Sequence, residues 1–229
     1  MKRGTREMDE YVISILLIIG IDVILGGDNA VVIALASRKL PEQKRNIAIV
    51  LGTALAIFVR ILLTIMVVML LKIPFLQLIG GCILLWISLR LLVQKEETHA
   101  SIKSETSLWK AIQTIVIADV VMGLDNVIAI AGAAQGHASL VVFGFLFSVP
   151  IIILGSKLIL YAMERYSFLI YIGGALLAYT AGKMITAEQQ IRHLYDSAFA
   201  WKPVFPFVTA GVTVLLGFMI NRRRFHRWT

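Results

Sequence analysis

Cysteine is almost missing from this 229-residue chain: Cys82 stands alone, so no internal disulfide can form and a disulfide-stapled secreted domain is excluded. Charge is scarce as well, at 16% of residues where a soluble domain carries roughly 25%. Histidine offers little. His99, His137, His193 and His226 all fall in or beside polar connections, so no imidazole-rich metal cage sits in the apolar runs. What fills the chain instead is apolar residues, 59% of the total, with a mean hydropathy of +0.84. They come in long blocks rather than at half-buried spacing, which is the pattern of a polytopic membrane protein. A disordered chain and most nucleic-acid binders are excluded, and the excess of 22 Lys+Arg over 14 Asp+Glu reads as membrane topology.

The blocks predict an all-α, seven-helix membrane protein forming one transmembrane domain over 1–229. The spans fall at about Tyr11–Ala36, Ile47–Leu71, Ile73–Val93, Leu108–Ala134, Ser139–Met163, Phe168–Ile185 and Pro203–Asn221. The polar stretches Gln94–Ser107 and Thr186–Lys202 read as tethers. Lys2, Arg3 and Arg6 ahead of an apolar run ending in Ala34-Leu35-Ala36 give the outline of a cleavable signal peptide. That run is too long, however, and carries Asp22 and Asp28. With the N-terminus outside, the cytoplasmic segments hold 13 basic residues against 7 on the other side, favouring N-out and C-in.

The chain repeats itself. Residues 22–36 (DVILGGDNAVVIALA) and 119–133 (DVVMGLDNVIAIAGA) agree at eight of fifteen positions. Residues 74–92 and 167–185 also align, with Gly80-Gly81 matching Gly173-Gly174 and Arg90 matching Lys183. Each repeat, 11–93 and 108–185, holds three spans. Three is odd, so the second copy enters the bilayer from the opposite side, and the seventh span (203–221) is an addition. Inverted repeats with a midplane site are a transporter arrangement.

The duplicated part includes charge. Asp22, Asp28 and Asn29 in span 1 match Asp119, Asp125 and Asn126 in span 4. A carboxylate at the bilayer centre costs about 2.5–3.5 kcal/mol on insertion scales, so four of them need compensation. Asp22 and Asn29, seven apart, lie within about 20° on one helix face, while Asp28 is about 120° away on an unbroken helix. Gly26-Gly27 supply the means to unwind a turn and redirect Asp28, and Gly123 does the same in span 4; close helix packing is the other use for these glycines. Brought together, the two motifs offer four carboxylates and two amide oxygens, a hard octahedral set for Mg²⁺, Ca²⁺ or Mn²⁺. Arg60 in span 2 and Lys157 in span 5 sit on corresponding helices and are the expected charge partners.

The paired GGDN and GLDN motifs in a 3+3+1 layout resemble the TerC family of integral membrane proteins, over about residues 11–221. The resemblance implies a multi-pass protein of the bacterial cytoplasmic membrane that exports Mn²⁺, with related roles in supplying metal to secreted enzymes. It carries the acidic positions over as Asp22, Asp28, Asn29, Asp119, Asp125 and Asn126. The expected partners are a divalent cation as substrate and membrane lipid, with no nucleic acid and no bound cofactor; the secretion machinery or a second copy of the chain are further partners. Two other classes fit the residues less well. An adaptor handing metal to secreted proteins would use the loops Arg38–Asn46 and Gln94–Ser107 and the basic tail. An intramembrane aspartyl protease needs two aspartates sharing a proton, and four acids with paired asparagines do not call for that, so the chain is expected not to be an enzyme.

Overall fold

The computed structural model describes residues 2–66, 73–93, 103–134, 137–188, 190 and 202–225, and among these every regular element is helical. Eight helices follow one another: α1 (Lys2–Leu25), α2 (Gly27–Ser37), α3 (Glu42–Ile65), α4 (Leu76–Val93), α5 (Lys103–Ala133), α6 (Ala138–Arg165), α7 (Phe168–Ala187) and α8 (Phe205–Phe225). Five of them are long and apolar enough to cross a membrane, and α1 with α2 makes a sixth as one bent span. Large apolar side chains such as Phe58, Trp86, Leu154 and Phe207 point outward, as they do when the solvent is lipid. The polar connection after α4 and most of the one after α7 lie outside the described residues, as does the last turn expected for span 2.

The first expected span is two helices. The chain breaks at Gly26, and α1 and α2 meet at 49°. Gly26 donates its N–H to the Asp22 carbonyl at 2.7 Å, and a Cβ there would collide with that same oxygen and come to 3.0 Å from Asn29 Nδ2. Only glycine fits the break. Gly27 is different: it begins α2 with open space around it. The bend is therefore a one-residue joint, tighter than the unwound turn expected of the pair.

The direction in which helices run is legible from named contacts. α1–α2 and α6 are parallel neighbours, with Gly144 against Ile18, Ser148 against Asp22 and Gly155 against Ala30. α3 and α5 are likewise parallel, with Gly52 against Ile115 and Arg60 against Asp119. α4 and α7 run antiparallel and are seated by the duplicated glycine pairs. Gly81 abuts Ala181 and Ile185, Gly174 abuts Leu92, and Ser88 Oγ donates to the Gly174 carbonyl at 2.7 Å. Small residues let backbones approach where lipid gives no hydrophobic push. α8 lies along α7 and α4; Thr209 donates to the Ala178 carbonyl, and Asn221 to the Leu92 carbonyl at 3.1 Å.

Two apolar clusters stack along the bundle. One gathers Ile18 of α1, Ile57 of α3, Ile130 and Ala134 at the end of α5, and Leu140 and Phe145 of α6. The other joins residues 32–36 of α2 to Ile115, Ala118 and Met122 of α5, with α4 and α7 closing over it. The C-terminal half of α1 thus meets the end of α5, while α2 meets the middle of α5. The two motif-bearing spans run in opposite directions.

Candidate functional site

Between the two apolar clusters lies a layer of charge. Arg60, 1% exposed, extends from α3 between the two motif helices. Its Nη1 donates to Asp22 Oδ1, its Nη2 to Asp119 Oδ1, and its Nε to Asp119 Oδ2 at 3.2 Å. Asp119 is therefore held by a two-pronged grip, the geometry for which a planar guanidinium is suited. Asp22 is fully buried and takes a second hydrogen bond on Oδ2, from the hydroxyl of Ser148 on α6. Four helices, α1, α3, α5 and α6, each contribute one side chain. Asp22 and Asp119, which occupy matching positions in the repeated motifs, meet on a single positive charge.

The surroundings keep that charge in place. The Phe145 ring lies 5.6 Å from the guanidinium carbon, within cation–π range. Gly123 faces the arginine, where a methyl group would stand 3.5 Å from Nε, and anything larger would press on the guanidinium. Here the structure departs from the sequence reading. α5 runs unbroken through Gly123, so this glycine is not a hinge. A lone glycine whose successor is Leu124 leaves the helix intact, and its missing side chain gives passage to Arg60.

The rest of the first motif lies just past the Gly26 joint. Asp28 receives a long hydrogen bond from Thr180 Oγ1 of α7, at 3.4 Å on Oδ2. Its Oδ1 is buried and has no partner. The same holds for both amide atoms of Asn29, a side chain 2% exposed. Three polar atoms shielded from solvent with nothing to bond are costly in a protein interior, and such groups call for an explanation in function. In the second motif Asn126 is buried and engaged, while the Asp125 side chain lies outside the described residues.

Two further expectations need correcting. Among the described residues no three His, Cys, Asp or Glu side chains lie close enough to ligate one metal ion. Asp22, Asp28 and Asp119, the described carboxylates of the expected cage, are not gathered around one point. Two carboxylates withdrawn from water need a positive charge between them, and Arg60 stands there. Lys157, the other expected charge partner, is exposed on α6 beside Leu154, Leu158 and Tyr161. It is nine residues from Ser148, half a turn away on an α-helix, so the face that brings Ser148 to the centre turns Lys157 outward to snorkel.

Ser148, Thr180 and Phe145 were not legible beforehand. A lone hydroxyl or ring in an apolar run gives no signal, and neither serine nor threonine has a polar counterpart at the repeat offset: 148 aligns with Leu55 and 180 with Ile87.

The comparisons with known proteins point to an integral membrane family. The family profile described as "Integral membrane protein TerC family" matches residues 8–225. The chain is 52% identical to the Uncharacterized membrane protein YjbE of Bacillus subtilis over 206 residues, covering 90% of this chain and 94% of that protein. It is 26% identical to a UPF0053 protein of Haemophilus influenzae, covering 72% and 81% respectively. It is 28% identical to the UPF0053 inner membrane protein YoaE of Escherichia coli, where it spans only 37% of the longer relative. No solved structure matches. With a match running nearly end to end, the chain belongs to the TerC family of integral membrane proteins.

Proposed function

We propose that this protein is a divalent-cation transporter that exports Mn²⁺ across the bacterial cytoplasmic membrane by alternating access between two inverted halves. One observation carries the reading: Asp22 and Asp119, equivalent residues of the two repeats, converge on Arg60 in the buried middle of the bundle. Ionisable groups at that depth are costly and mark ion pathways. A packing role would not require the same acid in both copies. The donors are oxygens, which suits Mn²⁺, Mg²⁺ or Ca²⁺ over softer ions. The choice of Mn²⁺ and of the outward direction within this reading rests on what the resemblance to the TerC family implies.

The helix pairings support an inverted two-fold arrangement. α1–α2 along α6 in the first half corresponds to α5 along α3 in the second, and the third spans, α4 and α7, face one another through their matched glycine pairs. Exchanging the halves maps these contacts onto each other. α8 belongs to neither half. Rocking of one half against the other would carry the central acids from one face to the other. The excess of basic residues in the connections assigned to the cytoplasm favours an N-terminus outside and a C-terminus in the cytoplasm. In this reading the protein acts without covalent chemistry, and Asp22 and Asp119 serve as ligands for an ion.

Purified protein reconstituted in liposomes tests the reading. Mn²⁺ flux from the protein alone supports an exporter. Its absence, with metal still delivered to secreted proteins in cells, favours the adaptor. Asp22→Asn and Asp119→Asn are each expected to lower flux at least tenfold, the factor equivalent to about 1.4 kcal/mol.

A further inference from the structure

The ionic centre holds two negative charges against one positive charge, all three nearly closed off from solvent. A divalent cation placed between Asp22 and Asp119 would neutralise both carboxylates by itself. It would then face a guanidinium of like sign at contact distance, in a medium that screens poorly. Cation and arginine therefore exclude each other from this position. Building on the cation-transport reading, we infer that Arg60 is a tethered counter-ion: its guanidinium holds the place between Asp22 and Asp119 that the transported cation takes, and the cation enters by displacing it.

Three features of the structure fit such an exchange. Arg60 uses Nε, Nη1 and Nη2 on the two carboxylates, so it satisfies them as a cation would and leaves no unpaired buried acid behind. Its flanks are Gly123, which has no side chain, and the face of Phe145, which attracts a guanidinium without locking it by hydrogen bonds. The third feature is independent of the arginine. Asp28 Oδ1 and both amide atoms of Asn29 are buried and unpartnered, one joint further along the same chain. Oxygens that nothing else claims are the first a desolvating cation can use, whereas those of Asp22 and Asp119 are already engaged.

The order of events follows. The cation is captured at Asp28 and Asn29, passes to Asp22 and Asp119 as the guanidinium withdraws, and is expelled when the guanidinium returns. In this cycle Arg60 performs the release step that a proton performs in carboxylate-only sites. Arg60 acts as a positioning residue: it touches the ligands and competes with the ion.

Equilibrium Mn²⁺ binding and thermal unfolding of the purified full chain in detergent, alongside flux in liposomes, test this. Arg60→Gln is expected to bind Mn²⁺ about tenfold or more tightly than wild type, and to gain more in melting temperature on adding Mn²⁺. Its flux should fall, because release fails. A purely structural arginine would give the opposite: weaker binding and no Mn²⁺-dependent recovery of stability. That result, with wild-type flux intact, overturns the inference and spares the transport reading. Wild type that neither binds nor moves Mn²⁺ overturns both. Should Arg60→Gln fail to fold, Arg60→Lys decides, since it keeps the charge and loses the two-pronged grip on Asp119. Tighter Mn²⁺ binding by Arg60→Lys than by wild type upholds the inference, and unchanged or weaker binding overturns it.

Discussion

Replacing Ser148 with alanine removes one hydroxyl from the ionic centre and leaves every charge in place, so its cost measures how strongly that centre is organised. Ser148 and Asp22 are both fully buried, and the serine is the only hydrogen-bond donor to Asp22 Oδ2 among the described contacts. Its single proton has two acceptors within reach, the carboxylate and the Phe145 carbonyl at 2.9 Å; the ionised group is the stronger. A neutral interhelical hydrogen bond in a membrane bundle is worth about 0.6 kcal/mol, whereas one to a charged group is worth about 1.5–3 kcal/mol. At about 2–4 °C per kcal/mol for a chain of this size, Ser148→Ala should lower the melting temperature in detergent by about 3–12 °C. A double-mutant cycle sharpens the test. In an Asp22→Asn background the acceptor is neutral, so Ser148→Ala should cost only about 0.6 kcal/mol, giving a coupling of about 1–2 kcal/mol. Equal shifts below about 2 °C in both backgrounds would refute a charge-assisted bond between Ser148 and Asp22.

Other substitutions probe the frame that holds the centre. A methyl group at Gly174 would stand 2.6 Å from Leu92 Cγ, so Gly174→Ala should destabilise by about 1–3 kcal/mol in thermal unfolding. Glu188, at the end of α7, accepts the backbone N–H groups of Gln77 and Leu78 at 3.2 and 3.4 Å and so caps α4 from across the bundle. Glu188→Ala should cost about 0.5–2 kcal/mol, read by denaturant titration. At the α1–α2 joint, Gly26→Ala meets the Asp22 carbonyl, which cannot move aside without opening the break, and should abolish flux; Gly27→Ala meets open space and should leave flux near wild type.

Much of this molecule could be read from its sequence, and the parts that could not share a physical cause. Helical membrane architecture follows from block hydropathy: among the described residues five helices, and the bent pair α1–α2 as a sixth, are long and apolar enough to cross a membrane, while α5 with its acidic motif is not among them. The Gly80-Gly81 and Gly173-Gly174 pairs stood out by duplication, and the structure gives them the job of seating α4 on α7. Asp22, Asp119 and Arg60 were conspicuous because charge is rare in apolar runs. Position around a helix is harder to read than position along it. Lys157 sits on the helix corresponding to that of Arg60 and faces outward, and Gly123, at the repeat position of Gly26, lies in an unbroken helix with Arg60 against it. Sequence spacing also placed both motifs in one cage. Arg60 was legible as a charge partner of these acids; which two of the four it would join was not.

The central claim is that the paired acids around Arg60 form a cation pathway. The most direct measurement is Mn²⁺ movement into liposomes containing purified protein, with wild type, Asp22→Asn and Asp119→Asn compared at equal protein content. Flux by wild type that collapses in both single mutants is the predicted result; absence of wild-type flux, or mutants that transport as well as wild type, would contradict it.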